Sequence, residues 1–81
     1  MAARPVAPST LKLADLRALA ALKLEIEVGA SARAAWSAVH DADRVWLLAF
    51  LCGTGTRIGP RRIDAALLAR ARASRAAASP D

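Results

Sequence analysis

The sequence predicts an all-α fold, a small bundle of four helices behind a mobile N-terminal arm. Three observations carry that prediction. Alanine, the strongest helix former, supplies 22 of the 81 residues. β-Branched residues are few and tyrosine is absent, so little favours strands. Helix-stopping and helix-starting residues also punctuate the chain, at Gly29–Ser31, at His40–Asp43 and between Cys52 and Pro60. The length allows one domain, expected over residues 10–78, with a frayed tail at 79–81. A chain of this size buries only roughly 60–65 % of its unfolded surface. Its core is therefore thin, which predicts a homodimer or a hetero-complex.

Residues 1–9, "MAARPVAPS", hold two prolines and no hydrophobic period, as expected of a mobile arm. Ser9 or Thr10 can cap a first helix over 11–28, and Gly29 can end it. Two apolar stripes cover that helix, Leu13–Leu16–Ala20–Leu24 and Leu11–Leu19–Leu22–Ile26. So wide a girdle predicts a helix sandwiched between neighbours or forming part of a dimer face. The segment "LKLEIEV", residues 22–28, also alternates strictly, which leaves open a strand paired across a dimer. A lone strand has no partner within this chain, so helix is preferred.

Ser31 can cap a short second helix over 32–40. It would bury Ala32, Ala35, Trp36 and Val39 and turn Arg33, Ser37 and His40 outward. Asp41 or Asp43 can cap a third helix over 42–52. Its residues Val45 to Leu51 are apolar on every side, which predicts the central, most buried element. Trp36, Trp46 and Cys52 sit among apolar neighbours and are expected in the core. Pro60 suits the first position of a fourth helix over 60–77. Its inner stripe would be Ile63, Leu67 and Ala71; its outer stripe would be Arg61, Leu68, Arg72 and Arg75.

Charge is unevenly spread. Residues 1–29 carry four cations against three acids, residues 30–56 balance, and residues 57–81 carry six arginines against Asp64 and Asp81. The sums are +1, 0 and +4, which give the net +5. A neutral helical body with a cationic end predicts a negatively charged partner, either a nucleic-acid backbone or an acidic protein surface.

The link "CGTGTRIGPRR", residues 52–62, joins the third and fourth helices. It is not a nucleotide-binding loop. Its glycines miss the dinucleotide spacing, it follows a helix, and no lysine lies beyond Lys23. "LLAFLCGTGTRIG" resembles the segment around the first catalytic arginine of tyrosine recombinases, which would make Arg57 that arginine. The chain has no tyrosine to act as nucleophile, and Pro60 and Arg61 replace the glutamate usual there, so that activity is excluded. "RIGPRRIDAALL" is similar to the hairpin and second helix of the helix-hairpin-helix module. That resemblance implies sequence-independent binding of DNA backbones, with Gly59–Pro60 at the turn and Arg61 and Arg62 as the basic pair. Arg57 stands where that module has its first glycine.

A helix N-terminus also attracts anions on physical grounds, through its unpaired N–H groups and its dipole. Gly59 and Pro60 are therefore the candidate anion-binding helix start. Arg57, Arg61, Arg62, Arg72 and Arg75 are the candidate contacts to nucleic acid or an acidic partner. Arginine favours bidentate contact with phosphate or carboxylate.

Several chemistries lack their residues. His40 has only Asp41 and Asp43 beside it, too few ligands for a metal, and those two aspartates read as helix caps. No serine has a partnered base, so no enzymatic activity and no cofactor are expected. Cys52 alone forms no internal disulfide. The longest apolar run, "VWLLAFLC", falls far below the ~20 residues of a membrane span. No signal peptide is visible, so the expected location is cytoplasmic. The residues thus predict a small nucleic-acid-binding accessory or regulatory protein. The alternative is a protein-binding adaptor or inhibitor of phage or mobile-element type, set on an acidic host protein.

Overall fold

The computed structural model describes residues 5–53 and 63–78, and every regular element among them is helical. A 3-10 turn at Pro8–Thr10 is followed by α1 (Leu13–Val28), α2 (Ala32–Val39), α3 (Arg44–Cys52) and α4 (Ala65–Ala78). The helical bundle expected from composition is therefore present. Residues 22–28 continue α1 as helix despite their strict alternation.

Local chemistry sets most of the boundaries. Gly29 ends α1 in the left-handed conformation, φ +77°, and its N–H donates to the Glu25 carbonyl at 3.1 Å. Only glycine takes that conformation without a Cβ penalty. The Ser31 hydroxyl accepts from the Ala34 N–H at 3.2 Å, and the Asp43 carboxylate from the Trp46 N–H at 2.8 Å. Both are side-chain caps that satisfy orphan donors of a first turn.

Two starts differ from expectation. Neither Ser9 nor Thr10 caps α1, because Thr10 belongs to the 3-10 turn and its hydroxyl donates to the Ala7 carbonyl at 2.7 Å. Lys12 occupies the cap position without a side-chain bond. The described part of the fourth helix begins at Ala65 rather than at Pro60, with the Asp64 carboxylate accepting from the Leu67 N–H at 2.8 Å. Residues 54–62, with Gly59 and Pro60, lie outside the described residues.

Residues 5–9, expected as part of a mobile arm, are fastened to the body. Val6 N–H donates to the Ile63 carbonyl at 2.6 Å, and Pro8 is buried. The Arg44 guanidinium donates to the carbonyls of Ser9 at 2.6 Å and Leu11 at 2.8 Å.

The central helix is α1, not α3. Ala18 to Lys23 are buried without interruption, because α2, α3 and α4 all pack on α1. The wide girdle is thus the sandwiched case, and alanines at 18, 20 and 21 let the neighbours approach closely. In α3 only Leu47 and Leu51 are fully buried. Packed on α1 and on the 3-10 turn, this nine-residue helix encloses Leu47 and Leu51 and half-buries Leu48 and Phe50, while Val45, Trp46 and Ala49 stay exposed.

Polar links tie the neighbours to α1. Arg17 donates from Nε and Nη2 to the Ala42 carbonyl at 3.3 and 3.1 Å, holding the turn between α2 and α3. Arg72 of α4 donates to both oxygens of Asp15, and Ser74 of α4 donates to Glu25 at 2.7 Å. Residues 72 and 74 stand about 200° apart around a helix, while their partners are ten residues apart along α1. The two links therefore straddle α4, which lies across α1.

Candidate interaction surfaces

Of the seven residues singled out as a binding site, Arg57, Gly59, Pro60, Arg61 and Arg62 lie outside the described residues. Arg72 and Arg75 are described, and both touch the protein itself. Arg72 Nε and Nη2 each meet an Asp15 oxygen at 2.9 Å, in a bidentate pair. The Arg75 guanidinium lies over the Trp36 ring, 4.9 Å from its centroid. The expected outer stripe of α4 is instead the shoulder of its buried face. Leu68, assigned to that stripe, is buried with Ala71 and Ile63. At 100° per residue, Arg72 and Arg75 flank Leu68 and so reach α1 and α2. Arg70 points the other way and is exposed. The arginines of α4 do not form one outward row.

The Asp15–Arg72 pair is asymmetric, with side chains 14 % and 58 % exposed respectively. Its hydrogen bonds from Arg72 hold the Asp15 carboxyl below its usual range. The charges of Arg72, Lys12 and Arg75 act in the same direction, and partial burial opposes them. The same bonds raise Arg72 further above its already high value.

A second surface was not foreseen as one. On α3, Val45, Ala49 and Cys52 are exposed at i, i+4 and i+7, with Trp46 beside them. Val45 is 78 % exposed and Trp46 47 %. The Trp46 ring stacks on that of half-buried Phe50, with centroids 5.2 Å apart and planes 15° apart. Trp46 and Cys52 were expected in the core. The usable signal was the shortness of the apolar run, too few residues to be enclosed by neighbours on all sides.

Behind this face lies a residue that sequence reasoning passed over. Lys23 is 2 % exposed; its ammonium donates to the Phe50 carbonyl at 2.6 Å and stands 4.7 Å from the centre of the Phe50 ring. A cation suits the carbonyl end of α3, so the buried charge finds a partner there. Trp36 is half-buried between Arg75 and the ring of His40, 6.2 Å away. His40 is exposed beside Asp41 at 3.5 Å.

Among the described residues, no group of three His, Cys, Asp or Glu side chains converges to hold a metal ion. Nor is any described helix long and apolar enough to cross a membrane. In comparison with known proteins, the chain matches no family model, no curated protein and no solved structure.

Proposed function

We propose that the protein is a small non-enzymatic binding module that docks a protein partner through the outer face of α3. The observation that carries this reading is the exposed Val45–Trp46–Ala49 surface, with Trp46 backed by Phe50. Aromatic residues on an exposed apolar patch are the usual anchors of protein interfaces. Here every residue from Val45 to Cys52 is apolar, although Val45, Trp46, Ala49 and Cys52 stay exposed. The +5 net charge favours an acidic partner, as an adaptor or inhibitor would meet on a host protein. Replacing Trp46 with glutamate tests the reading. Partner binding or self-association is lost while the far-ultraviolet spectrum and thermal midpoint are kept. Unchanged association contradicts it.

A second reading, binding to a nucleic-acid backbone, is favoured by the net +4 of residues 57–81. It is weakened by the internal contacts of Arg72 and Arg75. Titration against single-stranded and duplex DNA at two salt concentrations tests it. Contact through four to six arginines predicts a log–log salt slope of roughly −3 to −5. No binding at low salt eliminates it.

A further inference from the structure

We propose that Lys12, Arg72 and Arg75 form a phosphate-binding patch where α4 meets the start of α1 and the Trp36 ring of α2, with Asp15 as the buttress that fixes Arg72. The inference rests on the second, anion-binding reading and adds Lys12 and Asp15 to Arg72 and Arg75, which the sequence had singled out.

The residues come together through the fold. Lys12 stands three positions before Asp15, and Arg75 stands three positions after Arg72 on α4. Arg72 and Arg75, three apart on a helix, are surface neighbours. Lys12 is the cap residue of α1, its carbonyl accepting from the Leu16 N–H at 3.0 Å. The charges of Lys12 and Arg75 thus both act on the Asp15 carboxyl. The Asp15–Arg72 pair joins these two neighbourhoods across a separation of 57 residues. Three cations thus surround one carboxylate, which leaves the cluster at +2. The acid is the less exposed member of its pair, while the Arg72 guanidinium keeps more than half of its side chain open to solvent.

Hydrogen-bond capacity remains after the internal contacts are made. Asp15 takes Nε and Nη2 of Arg72, so Nη1 is left for another acceptor. Contact with the Trp36 ring restrains Arg75 without using its N–H donors. Lys12 is exposed at the edge of the same cluster. Guanidinium groups held in place by other contacts lose less freedom when they bind an anion. A phosphate presents tetrahedral oxygens, with nearly two negative charges as the inorganic ion and one as a backbone diester, which suits donors from α4 and from the cap of α1. A carboxylate has two coplanar oxygens and a single charge, and Asp15 already fills that role.

The test is a titration of the full-length, nitrogen-15-labelled protein, followed by nuclear magnetic resonance, with inorganic phosphate as one probe and a short DNA duplex as the other. With phosphate, the Nε–H signals of Arg72 and Arg75 and the Trp36 indole N–H shift together and saturate. The Lys12→Gln and Arg75→Gln variants bind phosphate about fivefold or more weakly, the loss of one charge-assisted contact. The proposal is overturned if these signals move no more than sodium chloride of equal ionic strength moves them, or if both variants bind phosphate as the parent does. In the other arm, a duplex that shifts the same signals identifies the nucleic-acid backbone as a source of the phosphate. A duplex that binds while leaving them unmoved overturns the patch and leaves the nucleic-acid reading standing. Phosphate binding with no duplex binding keeps the patch and removes that reading.

Discussion

The ammonium of Lys23, enclosed on α1, donates a 2.6 Å hydrogen bond to the carbonyl of Phe50, three residues before Gly53. One side chain thus completes the carbonyl end of α3 and packs its stem among the core leucines. Lys23→Ala removes both and is expected to lower stability by about 2–4 kcal/mol in urea unfolding. Lys23→Met keeps the stem and restores more than half of that loss. An alanine variant as stable as the parent would show that this contact holds nothing.

Acid should loosen α4 through Asp15. The hydrogen bonds from Arg72 hold its folded-state pKa below the ordinary aspartate range, so its ionised, paired form stabilises the fold above that range. That contribution is lost as pH falls through the lower, folded value. Below about pH 4, Asp15→Asn should therefore lose stability with a shallower pH slope than the parent, read from urea midpoints at successive pH values. Equal slopes would separate the pair from acid unfolding.

The helix ends should respond as local capping chemistry predicts. Ser31→Ala, Asp43→Ala and Asp64→Ala each remove a side-chain acceptor from a first turn, at a cost of about 0.5–2 kcal/mol each. Gly29→Ala places a Cβ at φ +77°, at a cost of about 1 kcal/mol or more. Differential scanning calorimetry gives all four values. A neutral Gly29→Ala would show that α1 ends otherwise in solution.

The two sides of α3 should separate stability from binding. Leu47→Ala opens a cavity in the core and is expected to cost about 2–5 kcal/mol. Trp46→Ala should stay within about 1 kcal/mol of the parent, since half of that ring already faces water. Acrylamide should quench Trp46 more strongly than Trp36, compared through the single-tryptophan variants Trp36→Phe and Trp46→Phe.

These particulars show which signals the sequence carried. The cap at Ser31 and the stop at Gly29 were legible because each is decided within four residues, and the cap of α3 was legible as Asp41 or Asp43, of which the structure uses Asp43. So was α2, where Ala35 and Val39 are buried while Arg33, Ser37 and His40 are exposed, since its faces differ in polarity. The rank of α1 over α3 was not legible. Apolar composition says that a helix can be enclosed, but which helix the others surround is a property of the assembled bundle. Lys23 was missed because its burial depends on a carbonyl 27 residues away. The shared placement of Lys12 with Arg72 and Arg75 depends on how α4 lies across α1, which no local spacing encodes.

The most direct test places a photocrosslinking benzoylphenylalanine at Val45 in cells and compares it with the same group at Ala66, an exposed position on α4. If the outer face of α3 docks a protein, Val45 gives a discrete adduct, Ala66 does not, and adding Trp46→Glu abolishes the product. Adducts of equal yield from both positions, or none from Val45, would contradict that account.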